Sequence, residues 1–246
     1  MATNESKTRL ITRLVKAGDP LHDPHLYCSV VGALQYVTIT RPELSYAVNR
    51  VCQFMHAPTE THWPAVKRIL RYLKGSINSG LVLRPCTDSP LVAFLDAGWA
   101  SNGDDCRSQH GFAIYYDVNL ISWSSRKQDV VAKSSPEAEY RVIAFTATEL
   151  IWIQQLVLEL KASLTQPPII LCDNLSATYL SANPVFHHRS KHIKIDYYFV
   201  REQVAFGSLV VRHIRAIDQT ADFITKAVGN ARFLSLRSKR HVVSPT

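Results

Sequence analysis

Apolar residues recur along this chain with two different periods, and the change from one to the other divides it. Residues 26–38 form an apolar stretch, and Thr40-Arg-Pro-Glu43 then supplies a helix start, with proline tolerated in the first turn. Leu44, Val48, Val51 and Met55 follow at helical steps with Asn49, Arg50 and Gln53 opposite, and Pro58 ends the run. Trp63, Val66, Leu70 and Leu73 make a second amphipathic stripe closed at Gly75, with Lys67, Arg68, Arg71 and Lys74 around its outside. Residues 1–88 are therefore expected to be a small helical segment. Pro85, Thr87, Asp88, Ser89 and Pro90 form a turn-rich break that marks the domain boundary.

Beyond the break the period shortens to that of strands, at Leu91–Ala97, Gly111–Asp117 and Leu120–Ser125, the last two close enough for a hairpin. Ser135 and Pro136 open a long helix with Ile143, Ala147, Leu150, Ile153, Val157 and Leu160 on one stripe, which must pack on the sheet. Pro167-Pro168 precedes a short buried strand, Ile169–Cys172, and Asp173-Asn174 turns into a helix carrying Leu175, Tyr179 and Leu180. A helix over about 191–205, a strand at Leu209–Ile214 and a helix from about Asp218 complete the order βββαβααβα. This predicts an α/β domain with a mixed sheet over residues 89–230, followed by a basic tail over 231–246.

Composition adds a preference in partners. With 46% hydrophobic and 20% charged residues, the 246-residue chain is of ordinary globular type. Its net charge of +8 and pI near 9.3 favour a polyanionic partner such as a nucleic acid backbone. The five cysteines are scattered and read as reduced thiols, so an intracellular protein, cytoplasmic or nuclear, is expected. Residues 1–24 lack an apolar leader core, and no run approaches the roughly 20 apolar residues of a membrane span, so no membrane partner is expected. His187, His188 and His192 have no cysteine or carboxylate at zinc spacing. Arg189, Lys191, His192 and Lys194 read either as phosphate contacts or as a solvated helix start, and the basic tail as a nonspecific nucleic-acid hold or a frayed end. Trp99 and Trp123 read as sheet-packing aromatics and Ser134-Ser135 as a helix cap.

The candidate chemistry lies in the carboxylates. Strand alternation places Asp96 on the face of Val92 and Phe94, where an apolar residue is expected. Glu139 extends the buried stripe of the long helix by standing four residues before Ile143, and Asp173 ends a strand, where open α/β sheets bind ligands. Asp222 is a fourth, near the start of the last domain helix. Singly, Asp96 and Asp173 also read as turn formers, and Glu139 and Asp222 as charges favoured at helix N-termini. Together, converging carboxylates repel one another unless a cation is bound, and magnesium, with its oxygen ligands and retained waters, is the natural one. Two such ions about 4 Å apart would activate a water and stabilise a departing 3′ oxygen.

The blocks Phe94-Leu-Asp-Ala-Gly-Trp-Ala, Ile121-Ser-Trp-Ser-Ser-Arg-Lys-Gln, Ser134-Ser-Pro-Glu-Ala-Glu-Tyr, Leu171-Cys-Asp-Asn-Leu-Ser-Ala, Arg189-Ser-Lys-His-Ile-Lys-Ile-Asp and Ala221-Asp-Phe-Ile-Thr-Lys occur in order. With them the sequence resembles the ribonuclease H domain of Copia-type LTR retrotransposon Pol polyproteins. Tyr27 through Gly75 is similar to the C-terminal part of the same element's reverse transcriptase. The resemblance implies a ribonuclease H-like fold and a nuclease that cuts the RNA strand of RNA–DNA hybrids. Asp96, Glu139, Asp173 and Asp222 stand at the metal-ligand positions for two Mg²⁺ ions, with Mn²⁺ as a substitute. It also implies the remainder of a Pol polyprotein as a partner and a retrotransposon particle as the setting, while Arg189, Lys191, His192 and Asn174 are the candidate nucleic-acid contacts. The Tyr-x-Asp-Asp polymerase box is absent, so no DNA synthesis is expected. Gly98 replaces the second aspartate of the family's Asp-Ala-Asp-Trp-Ala block, and no histidine stands between Ile214 and Asp222. The alternative function is a catalytically inactive nucleic-acid-binding remnant of a truncated element. A third reading is a fragment made only within a larger polyprotein, with its first 88 residues exposing apolar surface.

Overall fold

A computed structural model describes residues 14–85, 90–162, 164, 166–182, 193–238 and 242–243. They form two compact units, one of Met1–Leu83 with Lys226–Thr246 and one of Arg84–Thr225.

The first unit is built on α1 (Pro24–Val37), α2 (Ser45–Cys52) and α3 (Trp63–Gly75). Asp23 caps α1 by accepting from the Leu26 amide at 2.9 Å, and Pro24 sits in its first turn. The helix expected from Thr40 to Pro58 is shorter. It opens as a 3-10 turn at Pro42–Leu44, and beyond Cys52 the amides of Phe54, Met55 and Ala57 bond carbonyls only three residues back. Tyr27, Val31, Leu44, Val51, Val66 and Ile69 close a core of their own. A short strand, β1 (Gly80–Leu81), follows.

The second unit has a five-stranded mixed sheet. β2 (Leu91–Gly98), β3 (Gln109–Tyr116) and β4 (Asn119–Lys127) form the antiparallel meander that period-two patterning predicts. β5 (Ile169–Cys172) and β6 (Val210–His213) add in parallel beside β2, giving the order β4-β3-β2-β5-β6. Leu91, Ala93 and Leu95 of β2 with Phe112 and Ile114 of β3 share one buried cluster with α4 (Ser135–Glu159), α5 (Leu175–Ala182) and α6 (Lys194–Ala205), so these three helices cover one face. A four-residue helix, α7 (Asp222–Thr225), lies on the other. After it, α8 (Asn230–Ser238) and β7 (Val242–Val243) return to the first unit, β7 pairing with β1 and the Phe233 ring meeting Tyr72 edge-on at 5.7 Å.

α4 begins where the sequence signals it. Ser134 is extended and accepts from the Glu137 amide at 3.3 Å, while Glu137 accepts from the Lys133 amide at 3.0 Å. Ile143, Ala147, Leu150 and Ile153 are buried, but the predicted stripe does not hold to its end, because Leu160 is 72% exposed. Twenty-five helical residues span about 37 Å and eight strand residues about 26 Å, so the last turns of α4 overrun the sheet. By length and composition α4 would pass for a membrane span, yet here it is the helix that packs on the sheet.

His110, on the α4 face of β3, is the buried titratable group of this packing. Its ring meets Phe145 edge-on at 5.5 Å, and among the described residues neither ring nitrogen has a hydrogen-bond partner. Burial, reinforced by Arg126 on β4 and opposed by Asp129, holds its pKa down to about 4. The unfolded chain therefore takes up this proton first, and the stability present above about pH 6.5 is lost as pH falls toward 4. His110→Gln should remove about 2–3 kcal/mol of the difference in unfolding free energy between pH 7 and pH 4.5, read from urea titrations. Equal pH dependence in both proteins would contradict it.

Candidate active site

β2 and β5 pair only from Val92 with Ile169 to Phe94 with Leu171. β5 stops at Cys172, where the chain turns into α5, whereas β2 runs on to Gly98. The β5-side edge of β2 thus has backbone groups with no strand to bond, and a buried one left unpaired costs about 1–3 kcal/mol. Two side chains from distant parts of the sequence take them. Gln219 Nε2 donates to Leu95 O at 2.8 Å, and the Ala97 amide donates to Glu139 Oε1 at 3.3 Å. The opening lies at the carboxyl ends of two parallel strands, where connections leave in opposite directions, the usual ligand position of an open α/β sheet.

Glu139, in the first turns of α4, is 4% exposed and is drawn to the edge by that amide. Asp96 is 2% exposed on the opposite face of β2 and accepts a hydrogen bond from the Thr225 hydroxyl of α7. The approach of α7 depends on Gly111, the cross-strand partner of Asp96. A Cβ at Gly111 would stand 3.2 Å from Thr225 Cγ2, 3.3 Å from Ile224 Cγ1 and 2.6 Å from the Ser124 carbonyl. Ser125 Oγ fixes the same helix by donating to Ile224 O at 2.6 Å. Asp173, half-buried, follows β5, with Gln219 Nε2 at 3.5 Å from its Oδ1.

Beside Glu139 sits Cys172, fully buried, its Sγ 3.8 Å from Glu139 Oε2. Burial first, then the charge of Glu139, pushes this thiol far above its ordinary range, so it is an S–H beside the carboxylate. One carboxylate oxygen each of Glu139 and Asp173 and the Cys172 sulfur all lie within 4.8 Å of one another.

The structure therefore brings two of the expected carboxylates, Glu139 and Asp173, together at the break in the sheet, and places Asp96 on the same strand edge but on its other face, against Thr225. Asp222 enters differently. The helix expected from about Asp218 is a 3-10 turn at Ala216–Asp218, an extended Gln219, and then α7 with Asp222 as its first residue. Turning Gln219 inward to serve the β2 edge breaks the helix there. Asp222 is half-buried at the start of the helix whose Thr225 holds Asp96. Asn174 commits its Oδ1 to the Ala177 amide at 3.1 Å as the cap of α5. Arg189, Lys191, His192 and the neighbouring His187 and His188 lie outside the described residues. Trp99, past the end of β2, is 50% exposed and donates from Nε1 to Ala132 O at 2.9 Å rather than packing on the sheet. A groove of about 540 Å³ beside α4, lined by His110, Gln128, Arg141, Phe145, Asp196 and Phe199 among others, contains none of the four candidate ligand carboxylates.

Sequence reasoning missed Gln219, Thr225 and Cys172. The last two stand inside the quoted family blocks, and all three flank a selected acid. Uncharged polar residues at such places are indistinguishable from turn and cap residues until their burial is known.

Three antiparallel strands, two parallel additions beside the first and a long helix across one face make a mixed α/β fold of the ribonuclease H-like class. No family model matches the chain. It is 52% identical over 223 residues, 91% of its length, to the retrovirus-related Pol polyprotein from transposon RE1 of Arabidopsis thaliana, and 49% identical over 227 residues, 92% of its length, to that from transposon RE2. The chain spans 15% and 16% of the length of those two relatives. A metagenomic ribonuclease H1 isolated from compost overlies 62% of this chain and 95% of its own, with 15% identity and a TM-score of 0.41. On its similarity to the transposon polyproteins, the chain belongs to the Copia-like retrovirus-related Pol polyproteins.

Asp96 is buried with a hydroxyl as donor, so Thr225→Val, which keeps the shape and removes the O–H, should destabilise the protein by about 1–3 kcal/mol. A urea midpoint unchanged from wild type at neutral pH would show that Asp96 does not need this donor.

Proposed function

We propose that the chain is a divalent-cation-dependent ribonuclease acting on the RNA strand of RNA–DNA hybrids, with Asp96, Glu139, Asp173 and Asp222 as the cation ligands. The observation that supports this reading is the break between β2 and β5, where acids from α4 and the end of β5 come within 4.8 Å of each other beside the β2 residues that flank Asp96. The donor set fits a hard cation: it offers carboxylate oxygens from separate elements, and those of Glu139 and Asp173 lie close enough to share an ion after a small closure. Two magnesium ions, with manganese as a substitute, would supply an activated water and stabilise the departing 3′ oxygen.

The chain's own residues set the stage for that chemistry. Thr225 orients Asp96, the Ala97 amide orients Glu139, and Gln219 braces the strand edge next to Asp173. Asp173 is half-exposed and marks the open side of the break, where a phosphodiester would enter. Asn174, Arg189, Lys191 and His192 are the proposed backbone contacts, in keeping with the net charge of +8. Selection of a hybrid rests on duplex shape and the 2′-hydroxyl, with little base preference. The rest of a Pol polyprotein is the proposed covalent partner.

Incubation of the purified chain with an end-labelled RNA–DNA hybrid and Mg²⁺ should give RNA cleavage that EDTA stops and that Asp96→Asn or Asp173→Asn lowers at least about 100-fold. Hybrid binding that weakens with salt, without cleavage above the Asp173→Asn background, would identify an inactive binder instead.

A further inference from the structure

One feature of the break is foreign to a magnesium site. Magnesium takes oxygen ligands, yet a cysteine sulfur stands within 4.8 Å of an oxygen of each of two of the acids. We propose that Glu139, Cys172 and Asp173 form a site for a thiophilic divalent cation of the zinc class, and that its occupation inhibits the nuclease. The proposal rests on the cation-site reading above and adds to it a competing ion.

The spacing supports it. With zinc–sulfur bonds of about 2.3 Å and zinc–oxygen bonds of about 2.0–2.2 Å, the sulfur-to-oxygen edge of a tetrahedron is about 3.6 Å. The Cys172 Sγ to Glu139 Oε2 distance is 3.8 Å. One Asp173 oxygen belongs to the same group, all within 4.8 Å, and a shift of about 1 Å of this half-buried side chain would bring it to the third corner. Three protein ligands leave the fourth corner for water, the pattern of an open zinc site. The Asn174 amide points at the same sulfur from 3.4 Å, a donor that stabilises a metal-bound thiolate. When the ion binds, the thiol proton passes to solvent and the sulfur lone pair goes to the metal. Zinc held there would occupy Glu139 and Asp173 together, and two of the four proposed magnesium ligands would be lost.

Cobalt(II) is the probe, because thiolate coordination gives it a sulfur-to-metal charge-transfer absorption that oxygen ligands do not. Titrating the full chain with Co²⁺ should develop this band, Zn²⁺ should bleach it, and Cys172→Ser should lack it while Cys28, Cys52, Cys86 and Cys106 remain. Asp173→Asn keeps the thiol and should weaken Zn²⁺ binding about tenfold or more, measured by competition with a zinc indicator. It therefore tests the site even if the serine variant does not fold. No band in the wild-type chain, or the same band in Cys172→Ser, overturns the proposal. A chain that cleaves hybrid with Mg²⁺ but shows no thiolate band refutes the zinc site alone. A Cys172-dependent band in a chain that does not cleave upholds the zinc site and refutes the nuclease.

Discussion

β5 is three residues too short to follow β2 to its end, and the backbone groups this exposes at Leu95 and Ala97 organise everything around them. A protein interior does not tolerate bare amides and carbonyls, so partners must be recruited, and those at hand are side chains. Glu139 arrives from α4 and Gln219 from the segment after β6. Each thereby ties a remote element to the central strand. The acid that satisfies the Ala97 amide is also a proposed cation ligand, so the repair of the sheet edge and the assembly of the site are one arrangement.

The opposite face of β2 is served by a different device. Asp96 lies under α7, and α7 reaches it because Gly111 on the neighbouring strand has no side chain. Thr225 donates to the carboxylate and Ser125 holds the helix by its carbonyl. Four residues of helix are too few to be stable alone, so α7 exists through these contacts and the burial of Phe223 and Ile224. Asp222 inherits its position from them.

Cys172 gives the site a second character. Its sulfur packs as an apolar side chain would, which explains a cysteine at the end of a buried strand, but the strand ends beside two carboxylates. The same residue that completes the core therefore gives soft metals a foothold beside a hard-metal site.

Much of this was legible in the sequence, because it depends on local periodicity and on residue types with one plausible use. The meander, the long capped helix, the short strand before Asp173 and the α/β class follow from alternation, from the Ser134 cap and from Pro167-Pro168. The placement of Asp96 and Glu139 as charges at apolar positions followed too. Other features depended on length and contact between distant segments. That α4 outruns its sheet, leaving Leu160 exposed, comes from comparing two lengths in space. That Gln219 breaks the helix expected from Asp218, and that Thr225 and the Ala97 amide are what the acids hold, comes from where β5 stops. A sequence reports which residues prefer a strand or a helix. Only the assembled sheet reveals which backbone groups its edges leave unpaired, and it is those groups that chose the partners here.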